Sequence, residues 1–161
     1  MTFERPNPTI VVGYDGSPAA LAAVEHAIDR ALPDGRLVLV HAYSVPVDYV
    51  AASYYAELQQ DAASWAETVL DDLERDCARL VTVEHRRDIA IGPAGPAIIR
   101  AAATSEADEI LIGSRGHGRV RALLGSVAHD VIHRAECPVT VIPERMVALR
   151  TEAPAAVATA V

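Results

Sequence analysis

Two glycine-rich stretches hold the residue types best placed to do chemistry. The first is Gly13-Tyr14-Asp15-Gly16-Ser17. Its two glycines permit a tight turn and a close approach of ligand to backbone. The Asp15 carboxylate can accept hydrogen bonds from ribose hydroxyls or an adenine amino group, although Asp15 and Ser17 suit a plain turn and helix cap equally well. The second is Gly113-Ser114-Arg115-Gly116-His117-Gly118-Arg119-Val120-Arg121-Ala122-Leu123-Leu124-Gly125-Ser126, which holds four of the nine glycines. Residues 110–129 contain three arginines and no Asp or Glu, so this segment carries +3 and the remaining chain −11, against a total of −8. A cationic island in an acidic chain is a place for an anion. Glycine-rich backbone offers N–H donors, and a helix starting near Ser126 adds the positive end of its dipole. These are the parts of a phosphate cradle that needs no lysine. His117, in the same loop, is a solvated residue within reach of a phosphate.

Other constellations are weaker. His129-Asp130-Val131-Ile132-His133 imitates the two-histidine zinc helix of metallopeptidases. Its Asp is shorter than the Glu such enzymes use as a base, and no third ligand follows, so no metal site is expected. His41 closes an apolar run and reads as a hydrogen-bonded core residue. Cys77 and Cys137 stand 60 positions apart and read as small core residues. Trp65 falls on a core stripe and reads as packing. Asp71, Asp72, Glu74 and Asp76 read as the solvated face of a helix. All 14 basic residues are arginine. The lack of lysine excludes a Walker A loop, a Schiff base and a kinase-type lysine. No GxSxG elbow occurs, and no catalytic residue is assigned. A net charge of −8 opposes a general nucleic-acid partner.

The elements that must position the loops are legible as short Val- and Ile-rich runs: Thr9–Val12, Leu37–Val40, Ile110–Ile112 and Val139–Ile142. Such runs mark parallel strands covered on both faces. Val81–Ile89, charged along its length, suits a strand at a sheet edge. Helical stripes lie between them: Leu21, Val24, Ile28, Ala31 and Leu32; then Leu58, Ala62, Trp65, Val69, Leu73, Cys77 and Leu80; then Ala97, Ile98, Ala101 and Ala102; then Val127, Val131, Ile132 and Ala135. Ser17-Pro18 opens the first helix, and Gly92-Pro93 punctuates the start of the third. Residues 43–53 form a loop into the second helix. The order β-α-β-α-β-α-β-α-β predicts a three-layer α/β/α sandwich around a five-stranded parallel sheet, Rossmann-like in architecture. Residues 1–143 form one domain, and 144–161 a frayed tail or short helix. No apolar run approaches the ~18 residues of a membrane span, and the first residues lack a signal-peptide layout, so a soluble cytoplasmic protein is expected. In such sheets ligands bind beyond the carboxyl ends of the strands, where both glycine loops fall.

The succession Ile10-Val11-Val12-Gly13-Tyr14-Asp15-Gly16-Ser17, Gly113-Ser114-Arg115-Gly116, Gly125-Ser126-Val127-Ala128 and Cys137-Pro138-Val139 resembles the universal stress protein family, over roughly residues 7–143. The resemblance implies strand order 3-2-1-4-5, with strands one and four at the switch point. It also implies an ATP site of the form G-x2-G-x9-G-[ST]. Carried over, Asp15 meets the adenosine near its ribose, and Gly13 and Tyr14 line the pocket with backbone. Ala42 faces the adenine edge through its main chain, and Ile112 and Gly113 contact base and ribose. Gly116, Gly125, Ser126 and Val127 hold the phosphates. One departure stands out: eight residues, not nine, separate Gly116 from Gly125.

The leading reading is therefore a regulatory module of the stress response that binds ATP, with Mg²⁺ on the phosphates as a further candidate, and has little or no turnover. A homodimer is expected through the uncharged edge strand Pro138–Pro143. Two alternatives stay open: a slow ATP hydrolase, and a nucleotide-free or cyclic-AMP-binding interaction protein of the same fold.

Overall fold

The computed structural model describes residues 7–45, 52–116 and 124–143. Among the described residues five strands and four helices alternate: β1 (Thr9–Gly13), α1 (Pro18–Ala31), β2 (Arg36–Tyr43), α2 (Ala52–Asp76), β3 (Glu84–Ile91), α3 (Ala94–Thr104), β4 (Glu109–Gly113), α4 (Ser126–Arg134) and β5 (Val139–Ile142). A short 3-10 helix, Ala78–Thr82, joins α2 to β3. All strands pair in parallel in the order β3-β2-β1-β4-β5, as the resemblance implies. The register sets Gly13 beside Val40 and Gly113 beside Ile142, so both glycine loops leave the same end of the sheet.

Successive strand residues face opposite sides. Ile10, Val12, Leu37, Leu39 and Leu111 pack with α1 and α2, while Val11, Val38, Val40, Ile110 and Ile112 pack with α3 and α4. Both faces are covered, which is why these strands read as unbroken apolar runs rather than alternating ones. After β3 the chain crosses back beyond β1 through α3, onto the other face. The split between β1 and β4 is thus the switch point.

Ser17 caps α1 by accepting from Ala20 N at 3.2 Å, with Pro18 in the first turn. Several sequence expectations need correction. β3 starts at Glu84 rather than Val81, because 78–82 winds into the 3-10 helix and leaves Val81 exposed. Trp65 is 58% exposed, not packed in the core. The buried side of α2 is Ala66, Leu70 and Leu73, continued by Cys77 and Leu80; small Ala66 faces the sheet, and Trp65 lies on the flank against the His41 ring, centroids 5.5 Å apart. On α4, Ala128 and Val131 are buried, whereas Val127 and Ile132 are exposed.

The acidic face of α2 is not simply solvated. Arg87, on edge strand β3, reaches Asp71 at 2.7 Å, Glu67 at 3.3 Å and both oxygens of Glu74, while Arg75 reaches Asp72 at 2.7 Å and Asp76 at 3.0 Å. The Arg87 hydrogen bond holds the Glu74 carboxyl below its ordinary range, and Glu74 in turn holds Arg87 more firmly protonated. Charge at this edge therefore ties the strand to its covering helix. Among the described residues no helix is long and apolar enough to cross a membrane.

Candidate functional site: a cavity at the switch point

The β1 loop is built by short-range bonds. Gly13 lies close under α3, where a β-carbon would meet Ile98 Cδ1 and require that side chain to shift. Tyr14 N donates to Val40 O at 2.9 Å, and Tyr14 O accepts from His41 Nδ1 at 2.8 Å. His41 is buried and hydrogen-bonded, as its place in the sequence predicts. That bond puts the ring proton on Nδ1 and leaves buried Nε2 without a partner. Asp15 Oδ1 accepts from Ser17 N at 3.0 Å, an Asx turn made possible by Gly16 at φ 82°. The Tyr14 hydroxyl is pushed up, first by burial and next by the Asp15 charge.

The β4 loop comes to meet it. Gly113 lies against the start of α1, where a β-carbon would sit 2.9 Å from Ala19 C and 3.0 Å from Ala20 N. Ser114 N donates to Ile142 O at 2.7 Å, and Gly125 N donates to Ser114 O at 2.8 Å, so the loop closes at its base. Ser17 Oγ donates to Arg115 O at 3.4 Å, which joins the two glycine loops directly. A β-carbon on Gly116 would collide with Asp15 Oδ2.

α4 begins over this junction. Its N-cap is Gly125, with no side-chain cap, and its first internal bond runs from His129 N to Gly125 O. The backbone N–H groups of Ser126, Val127 and Ala128 precede that bond and have no helical acceptor. They form the anion-attracting end of the helix dipole.

Between these parts lies a cavity of about 510 Å³. All ten residues singled out in the sequence line it: Gly13, Tyr14 and Asp15 after β1; Ala42 at the end of β2; Ile112, Gly113 and Gly116 at β4; and Gly125, Ser126 and Val127 at α4. Sequence reasoning missed Ala94 and Ile98 of α3, together with Val40, Ala20, Ser114, Leu124 and Ala128. The Gly92-Pro93 pair already placed the start of α3 at this end of the sheet. Arg115 was read as part of the loop but given no role. It lines the cavity, and its Nε is buried without a hydrogen-bond partner. His117, Arg119 and Arg121 lie outside the described residues, as does the tail 144–161.

The walls divide by chemistry. Val40, Ala42, Ile98 and Ile112 give an apolar slot suited to a flat ring; Asp15 supplies an acceptor; Arg115 and the open end of α4 supply donors. A buried guanidinium nitrogen lacking an acceptor suits a phosphate or carboxylate. Among the described residues the lining includes no histidine or cysteine, and its one carboxylate, Asp15, is engaged in its turn. Among the described residues no group of three or more His, Cys, Asp or Glu comes together to hold a metal ion.

An open doubly wound sheet places its ligand sites at the switch point, and the cavity lies there. The chain belongs to the universal stress protein family, whose model matches residues 6–143. It is 38% identical over 146 residues to a universal stress protein of Mycobacterium tuberculosis (strain ATCC 25618 / H37Rv), covering 86% of this chain and 49% of that one. It is 36% identical over 138 residues to a universal stress protein of Thermus aquaticus, covering 83% and 97%. The chain thus spans about half the length of the mycobacterial relative. The universal stress protein UspA from Lactobacillus plantarum shares the fold at a TM-score of 0.71 and 24% identity, over 86% of this chain and 99% of that one. A universal stress protein solved in complex with cAMP matches at 0.64 and 25%, over 86% and 98%.

Proposed function

We propose that this chain is an adenine-nucleotide-binding regulatory module of the stress response, with ATP as its ligand and little or no turnover. The observation that carries the reading is the junction of the two glycine loops, Ser17 to Arg115 and Asp15 beside Gly116, directly under the uncapped start of α4. The base lies in the slot between Ala42, Ile98 and Ile112, the ribose meets Asp15, and the phosphates reach Gly116, Ser126, Val127 and Arg115. Gly13, Tyr14 and Gly113 shape the pocket through backbone. Mg²⁺ would be held by the phosphates themselves and would neutralise part of their charge.

The working unit is a cytoplasmic homodimer formed through β5. That strand ends the sheet, carries no charge, and leaves Val139, Thr140 and Val141 only half-buried.

A second reading is cyclic AMP, or no nucleotide at all. It is favoured by Gly125, whose N–H is committed to Ser114 O and so not offered to a phosphate, and by the family member solved with cAMP. Calorimetric titration of nucleotide-stripped protein with ATP, ADP, AMP and cyclic AMP separates these readings. Tightest binding of ATP supports the first, a preference for cyclic AMP the second, and no heat with any of them the nucleotide-free form.

A further inference from the structure

We propose that His129 and His133, on the solvent face of α4, form a bidentate site for a divalent transition-metal ion that favours right-angled coordination, Cu²⁺ above all and then Ni²⁺. The site is separate from the cavity and does not depend on what the cavity binds.

Both residues are exposed, and four positions of helix set their side chains one above the other on one face. Their ring centroids are 4.4 Å apart, with the planes inclined at 50°. With metal–nitrogen bonds of about 2.1 Å and about 1.2 Å from nitrogen to ring centre, two imidazoles on one ion stand about 4.7 Å apart at a right-angled bite and about 5.4 Å apart at a tetrahedral one. The observed spacing is shorter than both and nearer the right-angled value.

The surroundings agree. Asp130, which could have drawn a histidine away, is held by Arg134 at 3.2 Å. His133 lies in the last turn of α4, where the helix dipole is negative and a cation is favoured. Among the described residues no third side chain joins the pair, so water completes the coordination sphere. The natural order of affinities places Cu²⁺ first. Chelation across one turn also clamps α4, so the ion stabilises the helix it sits on.

The test is calorimetric titration of the intact chain, stripped of nucleotide, with Cu²⁺ and with Ni²⁺, together with electron paramagnetic resonance of the Cu²⁺ form. Losing a partner behind a metal ligand already costs about 10–100-fold in affinity, so loss of a ligand itself should cost at least about tenfold. That is expected of His129→Ala and of His133→Ala, each with unchanged circular dichroism because both positions are exposed. Nitrogen coupling from two imidazoles should fall to one. A variant carrying Arg134→His with His133→Ala keeps the number of histidines but turns the second ligand by about 100° around the helix, to about 140° from His129, and should bind no better than the single variants. His85→Ala, which alters a histidine near Glu74 far along the chain, should bind as wild type. Unchanged Cu²⁺ affinity in the doubly substituted His129→Ala, His133→Ala protein, or equal binding by the displaced-ligand variant, would overturn the proposal.

Discussion

Gly116 passes so close to Asp15 that a β-carbon on the glycine would collide with Asp15 Oδ2. The two residues sit on loops that follow different strands, and this contact is where those loops become one site. Asp15 cannot simply swing aside, because its other oxygen holds Ser17 N at 3.0 Å. Losing a hydrogen bond to a charged acceptor costs about 1.5–3 kcal/mol, so Asp15→Ala should weaken ATP roughly 10- to 150-fold without unfolding the chain. Asp15→Asn keeps an acceptor for Ser17 and should retain the turn while still binding more weakly. Gly116→Ala should lower affinity through the same carboxylate, so that adding it to Asp15→Ala costs less than it does alone. Calorimetry on the four proteins checks this; strictly additive losses would separate the two residues.

Arg115 should set the preference for charged phosphates. Among the described residues its buried Nε has no acceptor, and an anionic ligand would supply one. Arg115→Met keeps the apolar stem and removes the charge. The expected result is roughly a tenfold or greater loss of ATP affinity, with adenosine binding little changed. Parallel titrations with ATP and adenosine read the difference, and an equal loss for both would assign Arg115 to packing.

The short loop should blunt discrimination among ATP, ADP and AMP. Gly125 spends its N–H on Ser114 O, and eight residues rather than nine precede it. Chain reach is not limiting, since each residue can span about 3.3 Å. The limit is the register of the N–H groups that must converge on the β- and γ-phosphates. One glycine inserted after Arg121 should raise the ratio of ATP to AMP affinity. An unchanged ratio would show that loop length does not tune the site.

The Arg87–Glu74 pair should make stability depend on acid. The Glu74 carboxyl is held below its ordinary value of 4.5 in the folded protein. A depressed carboxyl contributes stability that is present above the unfolded value and lost as pH falls through the folded one. Denaturant midpoints should therefore decline below about pH 4.5, and Glu74→Gln should flatten part of that decline. The effect is modest, because Glu74 and Arg87 remain about 31% and 28% exposed. Identical acid profiles for both proteins would show that the pair contributes nothing.

The edge strand β5 should carry the dimer. Val141→Pro removes a backbone donor from a strand of four residues, and sedimentation should then show monomer where the parent is a dimer. A parent that is monomeric at micromolar concentration, or a folded variant that still dimerises, would contradict this interface.

The sheet was legible because every interior strand is buried on both faces, so Ile10–Val12 and Leu37–Val40 announce themselves by composition alone. The two glycine loops were legible by their glycines and by the local excess of arginine, whereas Ala42 and the part given to each of the ten cavity residues came from the resemblance to the universal stress protein family. Trp65 was misplaced because an apolar stripe on a 25-residue helix fixes its buried side only to within about one position, and here Ala66 and Leu70 took the place facing the sheet. Val81 looked like strand by type, yet the chain needs a 3-10 turn there to bring Glu84 into register with Arg36. Ala94, Ile98 and the orphaned Arg115 nitrogen are products of tertiary approach, and no local pattern encodes them.

The central claim is that the switch-point cavity holds an adenine nucleotide. Its most direct test is mass spectrometry of small molecules released from protein purified without denaturation, quantified against protein. The account predicts ATP, or ADP derived from it, in amounts approaching one per chain and strongly reduced in Asp15→Ala. Protein that releases no adenine nucleotide, and takes up none when ATP is added back, would contradict it.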